Sequence, residues 1–237
     1  NKYFSTGEWL SLAKDKINKC VKKKRVPILV GGTGLYFNAI TRGISKIPQI
    51  DSNLRNSLRS LHKRIGQKKF YKKLIEIDPL SKKIISETDT QRTLRAYEVK
   101  KSTKKSIFAW AFNTRSEFLD FEIKKIFINI PKEELLKNIS KRTELMFRNK
   151  CTDEVKNFLK LKIDNTLSAN KIIGVREISN YLDGIQGKTE TIDLIKIRTR
   201  QYAKRQNTWS RGHMTTWKKL YSKDFSILFK KVLKETT

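Results

Sequence analysis

Apolar residues along this chain recur mostly at helical intervals. Trp9, Leu10, Leu12, Ala13, Ile17 and Val21 fall on or near one face of a helix that Ser5 or Thr6 would cap. Asp51 is placed to cap a helix through Leu54, Leu58, Leu61 and Ile65 that ends near Gly66. Helices over 70–77 and 80–85 follow, separated by the breakers Asp78 and Pro79. Leu94, Tyr97 and Val99 give helical spacing to 91–100, and 104–120 is less regular. Pro131 suits the first residue of a helix carrying Leu135, Leu136, Ile139 and Met146 inward, and Thr152 the cap of another with Val155, Phe158 and Leu159. A short helix over 175–182 ends on Asp183 and Gly184. Thr189 would then cap a long helix over 190–211, with Ile192, Ile195, Thr199, Tyr202 and Trp209 facing the core.

Two stretches depart from that period. Residues 26–30, VPILV, form an unbroken apolar run too short for a helix and rich in branched side chains, which predicts a buried strand of a parallel sheet with Pro27 tolerated at its start. Residues 125–130, KIFINI, alternate as a second strand, and 216–221 form a weaker third. The predicted class is α/β: a core over 1–50 and 121–237 with a helical insertion over 51–120. Two or three strands make a poor parallel sheet, so the core is expected to lack an N-terminal part that supplies further strands.

After the first apolar run, Gly31 and Gly32 turn the chain into a helix opening near Thr33 or Gly34. A strand, a glycine turn and a helix N-terminus aim free amides and the positive end of the helix dipole at one spot, a place for an anion. An ordinary strand-to-helix connection, with glycines for tight packing, fits the same residues. Gly184 to Thr189, GIQGKT, superficially suggests a phosphate loop, but it has two residues between its glycines where four are required and it follows a helix, so it reads as a helix end and turn.

Charge narrows the partner. Lys and Arg number 53 against 23 acids, a net charge of +30. With no apolar run long enough to span a bilayer, such an excess favours nucleic acid over a membrane. Part of it is compositional, because 38 of the cations are lysines, as a lysine-biased genome would produce. The long helix is more specific. Its segment RTRQYAKRQNTWSR carries Arg198, Arg200, Lys204, Arg205 and Arg211 with no acid after Asp193 until Asp224, and planar guanidinium groups suit RNA phosphates and stacked bases. Cys20 and Cys151 lie far apart without metal-ligand spacing, and His62 and His213 are isolated, which points to a reducing cytoplasm and to no metal or triad chemistry carried by these residues.

Four separated blocks are similar to the tRNA dimethylallyltransferases: ILVGGTGLYF with the Gly-Ile-Ser-x-Ile-Pro segment after it, DTQRTLRAYEV, KIIGVREISNYLDG and TRQYAKRQNTW, in family order. The resemblance covers nearly the whole chain. It implies a P-loop NTPase-like parallel-sheet core with a helical insertion domain, and transfer of a dimethylallyl group from its diphosphate to N6 of the adenosine beside the anticodon, in tRNAs reading codons that begin with U. It also implies Mg²⁺ as cofactor, and the anticodon stem-loop and dimethylallyl diphosphate as partners of a monomer. The family's P-loop and general-base aspartate precede the position matched by Asn1, so the chain is expected to be a truncated form, inactive as given. A non-catalytic RNA-binding remnant of the family and a P-loop small-molecule kinase are the competing readings, the cationic helix speaking against the kinase.

Carried over by that resemblance, Gly31, Gly32, Thr33 and Gly34 contact the diphosphate, with the Thr33 hydroxyl at the reaction channel. Arg55, Gln91, Arg92, Thr93, Leu94 and Arg95 contact tRNA. So do Lys171, Gly174 and Arg176, and on the long helix Lys204, Arg205, Gln206, Trp209 and Arg211. The chain departs from the family pattern where Lys104 replaces a usual glycine, where Asn149 and Lys150 replace a glycine turn, and where Ser210 replaces a bulky residue.

Overall fold

The computed structural model describes residues 4–112, 114–164, 167–222 and 224–236. The chain divides into two compact units, one formed by Asn1–Asn38 with Asp120–Thr237 and the other by Ala39–Leu119.

In the first unit, α1 (Thr6–Lys22) begins as its cap residues dictate. The Ser5 hydroxyl accepts from the Glu8 amide and the Glu8 carboxylate accepts from the Ser5 amide, a reciprocal pair that satisfies two otherwise orphaned donors. Leu10 and Ile17 are buried, and Trp9 stacks on Tyr36 of α2 (Gly34–Arg42) with ring centroids 4.3 Å apart. Strand β1 (Ile126–Asn129) pairs in parallel with β2 (Lys218–Tyr221), Ile126 opposite Lys218. Between these strands come α7 (Lys132–Arg148), α8 (Cys151–Lys160), a 3₁₀ turn (Ser168–Lys171), α9 (Val175–Leu182) and α10 (Lys188–His213). Cys151, Val155, Ile178 and Ile195 form their shared core, with Met146, Phe147 and Ile173 packed against it. Burial pushes the Cys151 thiol above its ordinary range, with Glu154 adding to the effect. Helix α11 (Phe225–Thr236) follows β2.

The expected strand over 26–30 does not form. Strands exist as hydrogen-bonded pairs; β1 and β2 pair with each other, and no described segment pairs with this run. Its apolar side chains are accordingly exposed, Val26 at 78%, Ile28 at 76% and Val30 at 92%. Three helix starts also shift, because a helix begins where its first carbonyl is used. Pro131 is the N-cap of α7 and not its first residue, Thr152 sits inside the first turn of α8, and α10 starts at Lys188, with Gly187 as N-cap and its carbonyl accepting from the Thr191 amide.

The second unit holds α3 (Ser52–Ile77), α4 (Ser81–Ile84), α5 (Thr90–Thr103) and α6 (Ile107–Phe112). Asp51 caps α3 by accepting from the Leu54 amide. The helix does not end at Gly66 but kinks there, at φ 77°, a conformation that favours glycine. The next residue, Gln67, accepts from His62 and donates to the Glu87 carbonyl and the Thr93 hydroxyl, which ties the kink to the start of α5. Leu58, Phe70, Leu74, Ile85, Ala96 and Tyr97 make the core. The buried carboxylate of Asp78 accepts from the hydroxyls of Ser81 and Ser106, joining the end of α3 to the starts of α4 and α6.

Lys104 and Lys150 occupy backbone conformations that favour glycine. Lys104 ends α5 at φ 58° and Lys150 links α7 to α8 at φ 60°, both left-handed, where a Cβ is strained. Lys104→Gly and Lys150→Gly are each expected to raise stability by about 1 kcal/mol, net of the greater freedom glycine has in the unfolded chain. Thermal melts of the single and double variants check this; an unchanged or lower midpoint in both would contradict it.

Candidate active site and nucleic-acid interface

The glycine turn is gripped by the C-terminal half of α10. Gln206 donates from Nε2 to the Gly32 carbonyl at 3.0 Å, and a Cβ on Gly32 would run into that same amide. A Cβ on Gly34 would collide with the Trp209 ring. Trp209 is itself backed by His213, stacked at 4.3 Å between centroids and 4° between planes. His213 Nδ1 lies 3.0 Å from the Trp209 carbonyl; a carbonyl only accepts, so Nδ1 carries the proton. Two of the three glycines of the turn and the start of α2, Gly32 and Gly34, are thus required by close approach. Gly31 has open space around its α-carbon, so packing does not account for it.

What this leaves at the turn is a helix start. The Thr33 carbonyl accepts from the Tyr36 amide at 3.0 Å, which places the first-turn amides of the nine-residue α2 at Thr33 and Gly34. Thr33 is exposed, and its hydroxyl makes no hydrogen bond among the described residues. Free amides, a helix dipole and an unengaged hydroxyl at one place are equipped to hold an anionic oxygen.

The cations of α10 divide by role. Lys204, Arg205 and Arg211 are exposed, Arg205 lying over the Tyr202 ring with its guanidinium carbon 5.8 Å from the centroid. Tyr202, expected inside, is 42% exposed, because α10 turns its buried side through Thr191, Ile195 and Ser210 instead. Arg211, with Lys219, Asn129 and Asn207, lines a cavity of about 310 Å³ beside the two strands. Arg198 is engaged inside the unit, pairing with the buried carboxylate of Glu177. The other oxygen of Glu177 accepts from the Gly174 amide at 2.8 Å. Gly174 is buried at φ 106°, so it shapes the start of α9 and is not itself available to RNA, whereas Lys171 and Arg176 are exposed on either side of it.

In the second unit, Gln91 and Arg92 are exposed on the first turn of α5. Arg92 pairs with Asp89 at 3.5 Å, its own side chain 70% exposed. Thr93 is fully buried, its hydroxyl donating to the Asp89 carbonyl and accepting from Gln67, and Leu94 packs on the unit's core. Helical spacing turns this side of the QRTLR block inward, Thr93 fully and Leu94 in part. Arg55 and Arg95 both pair with the buried carboxylate of Glu98, and so does Arg59, which the sequence reading passed over. The available signal was spacing, Arg59 lying one helical turn after Arg55 and Glu98 one turn after Arg95.

The IPP transferase family pattern matches residues 1–213. The chain belongs to this family. It is 49% identical over 220 residues to a tRNA dimethylallyltransferase of Pelagibacter ubique (strain HTCC1062), covering 93% of this chain and 70% of that protein. It is 41% identical over 207 residues to a tRNA dimethylallyltransferase of Rickettsia felis, covering 87% and 67%. The crystal structure of the tRNA isopentenylpyrophosphate transferase of Bacillus halodurans superposes with a TM-score of 0.61 at 28% identity, over 98% of this chain and 72% of that one. A eukaryotic dimethylallyltransferase acting on tRNA superposes at a TM-score of 0.71, over 95% of this chain and 58% of that one; at 21% identity this shows the shared fold.

Within this IPP transferase, the matched region takes in the glycine turn, the α5 block, the α9 block and the whole of α10. Mg²⁺ is a different matter. Among the described residues no three His, Cys, Asp or Glu side chains come together, and a magnesium ion is ordinarily bound through one or two carboxylates and the substrate's own phosphates rather than by such a cage. Nor is any helix among them long and apolar enough to cross a membrane.

Proposed function

We propose that the protein is a tRNA dimethylallyltransferase that transfers a dimethylallyl group from dimethylallyl diphosphate to N6 of the adenosine beside the anticodon, in tRNAs reading codons that begin with U. The observation that carries this reading is the contact of the Gly31–Gly34 turn with α10: a turn equipped to seat an anion is held by Gln206 and Trp209, on the same helix that presents Lys204, Arg205 and Arg211. Anionic leaving group and polyanionic acceptor would therefore meet on one structural element. Membership of the family and the 49% identity to a tRNA dimethylallyltransferase support it.

In the reaction the adenine amine forms a bond to the allylic carbon while the bond from that carbon to the diphosphate oxygen breaks, the electron pair leaving with diphosphate and a proton leaving N6. The first-turn amides of α2 and the Thr33 hydroxyl would stabilise charge growing on the departing oxygen. Lys204, Arg205 and Arg211, with Lys171 and Arg176, would hold the anticodon arm through its phosphates. Taking the adenine out of its stack for attack is the general requirement of chemistry on a base. A protein acting on tRNA in this way would work in the cytoplasm, and nothing in the reaction requires more than one copy of the chain.

The test is incubation of the full-length protein with labelled dimethylallyl diphosphate, Mg²⁺ and unmodified tRNA. Label is expected in tRNA and absent when the adenosine beside the anticodon is replaced. Tight tRNA binding with no transfer of label would replace this reading by that of an RNA-binding protein without the chemistry.

A further inference from the structure

Three arginines on two packed helices turn toward one buried carboxylate. Arg55 and Arg59, one turn apart on α3, bring Nε to 3.7 and 3.9 Å from the Glu98 oxygens, and Arg95 brings Nη1 to 3.6 Å from across a turn of α5. The Glu98 side chain is only 5% exposed, whereas those of Arg55, Arg59 and Arg95 are 38%, 47% and 42% exposed. These separations exceed hydrogen-bonding distance, so the carboxylate attracts the three groups without using up their donors. Arg55 and Arg59 approach it through Nε, and their side chains remain 38% and 47% exposed.

As a device for stability alone this arrangement is poor. An apolar residue at position 98 would fill the space without desolvating a charge, and three guanidiniums brought together repel one another. Against the one carboxylate they leave a local charge of +2. Three half-exposed planar donor groups held by one buried anion suit a further anion with several acceptor oxygens, the geometry in which arginine excels over lysine.

We propose that Arg55, Arg59 and Arg95 form a single seat for a backbone phosphate of the bound RNA, in which Arg59 is a contact residue and Glu98 is a positioning residue that keeps the three side chains converged. The proposal rests on the tRNA reading above and extends it to two residues outside the family-implied set. Arg92, whose partner Asp89 lies on the surface, is not held in this way.

The experiment is fluorescence anisotropy of labelled, unmodified tRNA with the full-length protein and its variants across a salt series. Arg59→Ala is expected to weaken binding about 10-fold and to reduce the slope of log affinity against log salt by about one, as the loss of one phosphate contact should. Arg59→Lys, which keeps the charge but not the planar fork, should recover only part of the loss. Glu98→Gln removes a negative charge and so raises the net charge by one; simple charge attraction would tighten binding, whereas loss of positioning weakens it several-fold per folded molecule, the folded fraction being read from circular dichroism. Unchanged or tighter binding by Glu98→Gln would make Glu98 a staple between helices and overturn its role. If that variant does not fold, the two Arg59 variants, at a half-exposed position, decide. Wild-type protein that binds tRNA, is weakened by Arg205→Ala and is untouched by Arg59→Ala would overturn the seat alone. Wild-type protein that does not bind tRNA would remove the function reading as well.

Discussion

Raising salt from about 50 to about 200 mM is expected to weaken binding of an anticodon stem-loop by roughly 1,000-fold, the loss typical of about six neutralised phosphates. The cations proposed to make such contacts are the exposed Lys171, Arg176, Lys204, Arg205 and Arg211 and the half-exposed Arg55 and Arg95. Each phosphate neutralised releases condensed counterion, and that release loses its driving force as bulk salt rises. The net charge of +30 alone would give salt-sensitive attraction to any polyanion, so the informative comparison is with an unrelated stem-loop of equal length. Both should share the slope, and the anticodon stem-loop should keep an advantage at every salt concentration through contacts to its splayed bases. Affinity indifferent to salt would show that the exposed lysines and arginines are only a solvated surface.

Thr33→Ala is expected to lower the rate of prenyl transfer about 100-fold, the usual effect of removing one preorganised donor to a developing oxyanion, while leaving tRNA affinity nearly unchanged. The substitution is clean because the Thr33 hydroxyl has no hydrogen bond to lose within the described structure, and the carbonyl that starts α2 remains. Arg205→Ala should do the reverse, weakening tRNA binding about 10-fold with little effect on the rate from bound tRNA. Arg205 is exposed and, among the described residues, lies over the Tyr202 ring at a distance that contributes little, so early melting of the variant is not expected. The measurements are single-turnover rates at saturating tRNA alongside equilibrium binding. A Thr33 variant that transfers at the wild-type rate would remove the hydroxyl from the chemistry and leave the turn as an anion seat made of amides alone.

Much of this molecule is legible in its sequence because the relevant interactions are local. Ser5 with Glu8, Asp51 with Leu54, and the glycine after α9 act within three or four residues, the reach over which side chains and backbone form caps. The cationic half of α10 and its inward Ile195 follow from helical period in the same way. The blocks that mark the family are likewise contiguous. Missed helix starts at Thr152 and Thr189 are errors of two residues, where a hydroxyl inside the first turn looks like a cap.

Sequence by itself therefore determined the helices, the glycine turn before α2, the basic character and the family. Tertiary structure decided whatever joins residues distant in the chain. The apolar run over 26–30 reads as a buried strand, yet a strand needs a hydrogen-bonded neighbour and the run is exposed without one. Gly32 and Gly34 need to be glycine because Gln206 and Trp209, on a helix more than 170 positions later, press against them. Thr93 is withdrawn from solvent by Gln67, and Arg55, Arg59 and Arg95 converge because α3 packs on α5 over the one buried carboxylate of Glu98. Periodicity tells which face of a helix is inward, but only packing tells which charges that face brings together, since the energy of a charge cluster depends on separations in space and on burial and not on spacing along the chain.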